Sequence, residues 1–340
     1  MTQRVLLVTG SAPPDACGVG DYTASLAVAL ERAGLQIELL CHRWWGLAGS
    51  AKAVRRLLAD RDSLVHIQYP TMGYGHSLGP QLCSLARRSI VTLHEFSLGH
   101  PLRKLSLLPF TLLSPRIVMT SEFEKRSLTR MMPWAEARIR IIPNGSNIQL
   151  PKQVLEIGQE RIAYYGLIMP RKGLESFIEL SKLIRVNSLD WELVVIGRIP
   201  PAHAAYAKSL MESGLPYGVR WILDRSPEDV SELLSCGGLA YLPFPDGASE
   251  RRGSLKTTLA AGLPTITTQT EQTPSDLIKA VAFAVNPLEA FQLARRLMAS
   301  KEERRRLSHA ALEYSGNFSW DKIAKCHIEM YNEIGKGRRE

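Results

Sequence analysis

The chain has 340 residues, 45% of them hydrophobic, and a formal net charge of +9. This length and apolar content exclude a disordered chain and a small scaffold held by disulfides, and they are typical of about two globular domains. The positive charge is compatible with simple solubility or with an anionic partner, namely a phosphorylated small molecule, nucleic acid or an anionic membrane.

The cysteines and the N-terminal sequence bear on cellular location. Five cysteines without a C-x-x-C pair predict reduced thiols and a cytoplasmic protein. The segment MTQRVLLVTG has too short an apolar run for a signal peptide and is better interpreted as a buried strand. Since no window of about 20 apolar residues occurs, the sequence predicts no membrane-spanning helix.

The first half of the chain alternates between apolar strands and amphipathic helices. Strands are predicted at 4–10, 36–41, 63–70, 89–96, 116–122 and 139–145, and helices at 21–34, 50–59, 77–87 and 123–131. Continuous apolar runs such as RVLLVTG are typical of strands that are buried on both faces of a parallel sheet.

The alternation restarts after a polar stretch at 146–160. Strands are predicted at 160–166, 191–197, 219–223, 238–244 and 264–268, and helices at 173–187, 202–214, 226–237 and 318–334. Strand–helix alternation predicts a parallel sheet with helices on both faces, and two separate runs predict two such domains. We therefore predict one domain over 1–148, a second over 149–317 and a C-terminal helix over 318–340.

Residues that directly follow strands are the first candidates for a site, because doubly wound sheets bind ligands beyond the carboxyl ends of their strands. Gly18 and Gly20 lie between the first strand and a helix, where glycine allows close backbone approach and the helix start favours an anion. The dinucleotide fingerprint G-x-G-x-x-G fails because Thr23 occupies the third glycine position, which argues against a dehydrogenase.

Polar residues also end three strands of the first half. His66, His94 and Glu122 are interpreted as parts of a second, polar face of the site. A single histidine at a strand end is more often only a hydrogen-bonded polar residue, whereas three such ends favour a binding face. No H-x-x-x-H or H-E-x-x-H spacing occurs, so no metal site is predicted.

Two loops of the second half place cations at helix starts. Arg171 and Lys172 precede Gly173 and a helix, where positive charge opposes the helix dipole and is explained if an anion binds there. Arg251 and Arg252 repeat this arrangement before a second helix. The residues Gly253 and Ser254 suit a tight loop and a helix N-cap. Four cations at two helix starts fit a diphosphate.

These segments resemble, in order, the retaining GT-B glycosyltransferases of glycosyltransferase family 4. The resemblance covers nearly the whole chain and is carried by CGVGDYTASLAVAL, VHIQYP, LHEF, TSEFEKRSL, IPNGSNI, YYGLIMPRKGLE, LPFPDG, AAGLPTITT and FSWDKIAKCHIEMY. It implies an α/β fold of two Rossmann-like, doubly wound parallel-sheet domains facing a cleft, with a C-terminal helix that crosses back to the first domain.

The resemblance also implies how substrates bind. A nucleoside-diphosphate sugar would bind mainly to the second domain and the acceptor mainly to the first, with retained anomeric configuration and with no metal or cofactor. Lys172 matches the family's diphosphate-binding lysine, and His94 matches a histidine near the transferred sugar. The arginine that usually lies five residues before this lysine is replaced by Leu167. Arg171, or an arginine of 251–252, is expected to replace it.

The segment 243–264 departs most from the family pattern. The family usually carries two glutamates in an E-x7-E motif, and Ser249 and Thr257 occupy those places here. Glu250 is one step from the first place and is the candidate for the sugar contact. The assigned residues are, for catalysis, His94, Lys172 and Glu250; for donor binding, Gly18, Gly20, Gly166, Arg171, Lys172, Arg251, Arg252, Gly253, Ser254 and Thr257; for acceptor binding, His66, Tyr69 and Glu122.

The sequence thus predicts a retaining hexosyltransferase that moves a sugar from a nucleoside-diphosphate sugar to a carbohydrate, lipid-linked or small-molecule acceptor. Such an enzyme would act in polysaccharide or glycoconjugate biosynthesis. Two alternatives stay open: a sugar-nucleotide 2-epimerase of the same fold, and a non-catalytic partner protein. Nucleic acid is not expected as a partner. The segment 100–116 mixes apolar and basic residues, and it is either a buried helix with solvated cations or a peripheral membrane contact at the inner membrane face.

Overall fold

The computed structural model describes residues 3–15, 17–42, 45–87, 89–97, 99–145, 160–271 and 273–336. The chain divides into two compact units, and each is described by itself. Unit 1 comprises residues 1–145 together with 318–340, and unit 2 comprises residues 146–317. The domain boundary predicted at 148–149 lies outside the described residues.

Each unit contains a six-stranded sheet, and every strand pair of the described residues is parallel. In unit 1 the strand order is β2-β1-β3-β4-β5-β6, and in unit 2 it is β12-β11-β10-β7-β8-β9. The strands are β1 (Arg4–Thr9), β2 (Gln36–Cys41), β3 (Leu64–Tyr69), β4 (Ile90–Leu93), β5 (Ile117–Met119), β6 (Ile139–Ile141), β7 (Arg161–Leu167), β8 (Glu192–Arg198), β9 (Val219–Leu223), β10 (Leu239–Leu242), β11 (Thr265–Thr267) and β12 (Ala282–Phe283). The predicted fold class, two doubly wound parallel α/β sheets, is confirmed.

Helices connect the strands in both units. They are α1 (Gly18–Arg32), α2 (Leu47–Ala59), α3 (Gly79–Ala86), α4 (Pro101–Leu105), α5 (Leu108–Leu113), α6 (Glu122–Met131), α7 (Leu174–Val186), α8 (Ala204–Gly214), α9 (Pro227–Ser235), α10 (Gly253–Ala260), α11 (Pro287–Ala299), α12 (Lys301–Ser315) and α13 (Trp320–Lys336). Short 3-10 helices lie at Met72–Tyr74, Pro133–Arg138, Pro201–His203, Leu215–Tyr217, Ser275–Lys279 and Gly316–Phe318.

The sheet of unit 1 has a core on each face. Along β1, Leu6 and Val8 point into a core with α2, α3 and α5, whereas Val5 and Leu7 point into a core with α1 and α13. This alternation follows from the two-residue period of a strand. Since the C-terminal helix α13 buries Tyr331 in the second core, it is an integral part of unit 1.

The segment predicted as one feature at 100–116 forms two short helices. Pro101 and Pro109 lie in the first turns of α4 and α5, where a missing N–H costs little. Leu107 and Phe110 are buried, whereas Leu102, a residue of α4, is exposed. The expectation of a single buried helix is therefore wrong for α4.

Candidate functional site

The loop between β7 and α7 carries the first pair of predicted cations. Arg171 has a φ of 65° and Gly173 a φ of 80°, so the chain turns sharply just before the helix. A Cβ atom on Gly173 would lie 1.8 Å from the carbonyl oxygen of Pro243, and only glycine allows this contact. The hydroxyl of Tyr164 donates to the Lys172 carbonyl at 3.2 Å. The Tyr164 bond joins Lys172 to β7, and the Gly173 contact holds the Lys172 loop against the loop that follows β10.

That second loop, residues 243–252, is fixed to the segment after β11. The Ala248 N–H donates to the Thr268 carbonyl at 2.9 Å, and the Thr273 hydroxyl donates to the Ala248 carbonyl at 2.9 Å. Ser249 is buried at the turn, and its carbonyl accepts from Arg252 N–H at 3.0 Å. The loop thus delivers Arg252 to the start of α10 in a defined orientation.

The Arg252 side chain is held on two sides. Its guanidinium carbon lies 4.6 Å from the centroid of the Phe244 ring, and it forms an ion pair with Asp246. Within the part of the chain that the structure describes, its buried Nε has no hydrogen-bond partner. Aromatic stacking and an ion pair together orient a guanidinium that keeps donor capacity for a further acceptor.

Lys172 and Arg252 come together in space. Burial lowers the pKa of Lys172 from its ordinary value, the nearby charge of Arg252 lowers it further, and Asp246 opposes the change. Arg171, by contrast, is exposed beside Lys172 on the loop between β7 and α7. Arg251 is partly buried as well, but Arg252 is the predicted donor cation whose charge acts on Lys172.

The start of α10 lies beside the end of β7. An ideal Cβ on Gly166 would be 3.5 Å from the side chain of Ser254, and nothing lies within 4 Å of one on Gly253. The N-cap residue is Arg252, without a side-chain cap, and Ser254 is the second residue of the helix. The sequence predicted Ser254 as the N-cap, and this prediction is wrong. The first turn of the helix keeps open space around its backbone at Gly253. Thr257 is buried one turn further on.

A buried lysine on α10 escaped the sequence analysis. Lys256 is only 5% exposed, and burial lowers its pKa to about 8, against the opposing charge of Glu250. Burial first, and then Glu250 and Asp276, raise the pKa of Tyr314. Glu250 therefore lies within electrostatic range of Lys256 and Tyr314. The sequence offered one signal for the burial of Lys256, which lies in the chain between Leu255 and Leu259, two apolar residues on the buried face of this helix.

In unit 1, His94 is buried directly after β4. Its Nε2 lies 3.0 Å from the Gln68 Oε1, and its ring meets the Tyr22 ring edge-on at 4.7 Å between centroids. Burial lowers the pKa of His94 to about 3, although a hydrogen bond with Asn144 opposes the shift and the charge of His327 adds to it. The imidazole is therefore neutral at physiological pH.

A carboxylate that the sequence analysis did not single out holds the chain after His94. Glu124 is fully buried and accepts from the N–H groups of Phe96 and Ser97 at 2.8 Å each, and from the Ser97 hydroxyl at 2.7 Å. Its own N–H donates to the Ser121 hydroxyl, the N-cap of α6, at 3.2 Å. The S-x-x-E spacing of a capping box predicts the Ser121 N-cap but not the bonds of Glu124 to the segment after β4.

The three predicted acceptor residues do not form one accessible group. His66 lies in the middle of β3 rather than after it, and its ring nitrogens lie 2.7 Å from Tyr331 Oη and 2.7 Å from Thr92 Oγ1. Tyr69 packs in the core, and Glu122 is exposed at the start of α6. Because every residue of β3 is buried, the sequence assigned the wrong environment to His66 and Tyr69.

Gly18 and Gly20 lie in the first turn of α1. Gly18 is exposed with nothing within 4 Å of an ideal Cβ, whereas a Cβ on Gly20 would lie 3.0 Å from the Ser11 carbonyl oxygen. The helix start therefore has open backbone at Gly18 and a close contact with the loop after β1 at Gly20. The N-cap is Cys17, without a side-chain cap, and Asp21 is inside the helix.

No group of three or more His, Cys, Asp and Glu side chains in the described residues is placed to hold a metal ion. None of the helices within the described ranges combines the length and apolar character that a bilayer crossing requires.

Both halves of the chain match models of known families. Residues 42–150 match the model described as Glycosyltransferase Family 4, and residues 159–299 match the model described as Glycosyl transferases group 1. No curated protein matches the sequence. The two family matches together span most of the chain and support a glycosyltransferase related to family 4.

Solved structures with the same fold include a glycosyltransferase from Rickettsia africae, at 14% identity and a TM-score of 0.74 over 98% of this chain and 99% of that chain. Anabaena HepE, solved in complex with UDP and glucose, has 13% identity and a TM-score of 0.68 over 97% and 100%. A putative UDP-N-acetylglucosamine 2-epimerase from Listeria monocytogenes has 14% identity and a TM-score of 0.63 over 99% and 98%. At these identities the likeness establishes the GT-B fold.

Proposed function

Since both halves of the chain match glycosyltransferase family models, we propose that this protein is a retaining, metal-independent hexosyltransferase. It moves a sugar from a nucleoside-diphosphate sugar to a carbohydrate, lipid-linked or small-molecule acceptor. The observation that carries the proposal is the pairing of Lys172 with Arg252 beside the open start of α10 in unit 2.

The pair suits a diphosphate. The charge of Arg252 lowers the pKa of Lys172, so the two cations repel one another, and an anion that contacts both removes this repulsion. Arg252 can offer parallel N–H donors to phosphate oxygens, Lys172 adds a compact charge, and the N–H groups of the first turn of α10 add a positive dipole end. As the anomeric bond breaks, negative charge grows on the leaving diphosphate, so these groups stabilise the transition state more than the ground state.

Arg252 takes the place of the cation that is missing at Leu167. Of the candidates considered from the sequence, Arg252 is the one whose charge acts on Lys172, and it is fixed by Phe244 and Asp246. Arg171 has a left-handed backbone conformation itself and is exposed. A guanidinium already held in one orientation loses less conformational freedom on binding than an exposed one.

His94 and Glu250 complete the proposed machinery. Hydrogen bonds with Gln68 and Asn144 fix the orientation of the neutral, buried imidazole, so His94 orients the transferred sugar and does not act as a general acid. Glu250 contacts the sugar in place of the first glutamate of the family motif. The departing diphosphate accepts the proton of the acceptor hydroxyl, so no separate base is needed.

The experiment is a donor screen followed by turnover. UDP-, GDP-, ADP- and dTDP-sugars are added to the purified protein and the rise in melting temperature is measured, since a ligand of the folded state stabilises it. UDP-glucose is the first probe, because the HepE structures contain UDP and glucose or UDP-glucose. The donor found in this way is then assayed with mono- and oligosaccharide acceptors and with lipid-linked sugars.

A matched pair of variants tests the assignment. Lys172→Met removes the proposed diphosphate contact, and Lys182→Met removes an exposed lysine of α7 in the same unit. We expect transfer to fall by about 100-fold or more in the first variant and to stay near wild type in the second. Equal transfer in the two variants, with both folded, would overturn the role of Lys172.

The epimerase alternative has a specific observation in its favour, the shared fold of the Listeria protein described as a putative 2-epimerase. NMR of a UDP-sugar incubated with the protein in the absence of acceptor separates the two activities. A transferase leaves the sugar configuration unchanged or slowly hydrolyses the donor, whereas an epimerase produces the 2-epimer. A folded protein that binds no nucleotide sugar would support the non-catalytic alternative.

A further inference from the structure

The chain leaves unit 1 and returns to it at two points that are packed together. It leaves after Gly145 and returns at Phe318, and α13 begins two residues later with Trp320. A Cβ atom on Gly145 would lie 2.7 Å from Cε2 of the Trp320 indole, so a larger residue at this position would displace the ring. The exit and the return of the chain are therefore in contact within unit 1.

The Trp320 indole is one end of a row of three rings that reaches His94. Its centroid lies 5.3 Å from that of Tyr22 on α1, and the Tyr22 ring meets the His94 imidazole edge-on at 4.7 Å. Both distances lie in the range over which aromatic rings attract one another. We call Trp320, Tyr22 and His94 the aromatic row. Because Tyr22 is only 4% exposed and the interior is closely packed, a displacement at one end of the row is passed to the other.

Asn144 contacts the same imidazole from the exit of the chain. It directly precedes Gly145, and its side chain forms a hydrogen bond with His94. The third contact of the imidazole is Gln68 Oε1 on β3, at 3.0 Å from Nε2. The sheet thus supplies one partner of His94. The other two partners depend on the exit of the chain directly and on its return through the aromatic row.

Helix α13 supports the row at its far end. Ile323, Ala324 and Tyr331 are buried in the same core as Tyr22, so most of the helix is fixed against the sheet. Trp320 is the first residue of this helix and is only partly buried. Residues at the ends of elements are those that absorb backbone changes when domains move. Gly145 and Trp320 both occupy such positions.

We propose that Tyr22 and Trp320 are positioning residues for His94, and that they make the orientation of its imidazole depend on the backbone at the exit and return of the chain. Neither residue needs to contact a substrate in order to act. A change at either crossing reaches the imidazole through the ring contacts or through Asn144. The inference rests on the proposed function for one point only, the role of His94 in orienting the transferred sugar.

The orientation of His94 can be measured without turnover. The protein is labelled with 15N at histidine, and the ring signals of His94 are identified by their loss in His94→Gln. We expect Trp320→Leu and Gly145→Ala to move these signals, because a turned ring changes its hydrogen bonds. Two controls should leave them in place: Trp134→Leu, at an exposed tryptophan of unit 1, and Gly46→Ala, with nothing within 4 Å of its ideal Cβ. Unmoved His94 signals in either folded test variant would overturn the inference.

Kinetics of two Tyr22 variants test whether the ring contact serves the reaction. Tyr22→Leu should lower kcat by about tenfold, with little effect on binding of the free nucleoside diphosphate, since a misplaced orienting group raises the barrier. Tyr22→Phe keeps the ring and removes only a hydroxyl without a partner in the described residues, so its kcat should stay near wild type. Equal kcat values in these two variants contradict a role of the ring. A wild type that transfers no sugar from any donor would refute the proposed function, and the His94 signals would then decide this inference alone.

Discussion

Lys172 lies close enough to Arg252 for their charges to interact, although the two residues come from different loops of unit 2. Burial, and then the charge of Arg252, lower the pKa of Lys172. Gly173 makes the approach possible, because its missing Cβ lets the Lys172 loop contact the backbone at Pro243. The proposed diphosphate site is therefore a property of two packed loops, and either loop can be changed separately.

Arg252→Gln is expected to lower kcat by about 100-fold and to affect binding of the free nucleoside diphosphate less. The physical reason is that the guanidinium stabilises the negative charge that grows on the leaving diphosphate in the transition state. The measurement is steady-state kinetics beside calorimetric binding. Arg305→Gln, at an exposed arginine of α12, is the control. If Arg252→Gln left kcat unchanged, a different residue would have to replace the cation missing at Leu167.

The double variant Lys172→Met with Arg252→Gln should lose less activity than the product of the single effects. Residues that act on one leaving group form a unit, so removal of the first already forfeits part of what the second supplies. The kcat values of the wild type, both single variants and the double variant give this coupling directly. Strictly multiplicative effects would show that the two cations act on separate groups.

Gly173→Ala is expected to destabilise unit 2 by at least about 2 kcal/mol and to abolish transfer. The new methyl would stand 1.8 Å from the Pro243 carbonyl oxygen, on a residue with a φ of 80°. Gly253→Ala is the matched control, since nothing lies within 4 Å of its ideal Cβ, and its melting temperature should change little. A melting temperature for Gly173→Ala equal to that of Gly253→Ala contradicts the close packing of the two loops.

Much of this architecture could be predicted from the sequence, because alternating apolar strands and amphipathic helices can be recognised from the spacing of their apolar residues. A site for an anion at these cations could also be predicted, since four cations at two helix starts have no structural explanation without an anion. Which of these cations pairs with Lys172 could not be predicted from the sequence. It depends on the packing of Phe244 and the ion pair with Asp246, which only the fold brings together.

The errors in unit 1 have a different origin. The predicted strand at 63–70 already contains His66, but a strand buried on both faces shows no alternation, so the sequence did not reveal that His66 is buried and hydrogen-bonded to Tyr331 of the distant helix α13. Glu124 was not among the residues singled out from the sequence. Its long-range bonds to the backbone after β4 depend on tertiary contacts that no local pattern encodes.

Glu124→Gln is expected to destabilise unit 1 by roughly 2–3 kcal/mol and to lower transfer, because it removes the charge that two N–H groups and a hydroxyl share. Glu122→Gln, on the exposed side of the same helix, is the control and should change stability by less than about 0.5 kcal/mol. Melting temperatures of both variants provide the comparison. Equal stability of the two would show that the Glu124 bonds do not hold the segment after His94.

Unit 1 is expected to lose stability as the pH falls from about 6.5 towards 3. Burial lowers the pKa of His94 to about 3 and of His327 to about 4, whereas an unfolded histidine titrates near 6.5. The unfolded state therefore binds more protons in this range, and the stability present above pH 6.5 is lost as the pH falls through the folded values. His327→Leu should flatten the curve of unfolding free energy against pH. An unchanged slope in that variant contradicts a buried neutral His327.

Lys256 makes the stability of unit 2 depend on pH in the alkaline range. Burial lowers its pKa to about 8, while an unfolded lysine titrates near 10.4. Between these values the unfolded state holds more protons, so the contribution of Lys256 to stability rises as the pH increases from about 8 to 10.4. At neutral pH the folded state therefore carries a charge that it disfavours. A lysine in this position is explained by what its charge does for Glu250, the residue proposed to contact the sugar.

The difference between the wild type and Lys256→Met isolates this contribution, because all other groups titrate in both proteins. We expect the wild type to gain stability relative to the variant as the pH rises from about 8 to 10.4, measured by denaturant unfolding. We also expect Lys256→Met to raise KM for the donor sugar more than Lys182→Met does, since Glu250 loses the cation that faces it. A parallel pH dependence in both proteins would show that Lys256 is not buried as a titrating group.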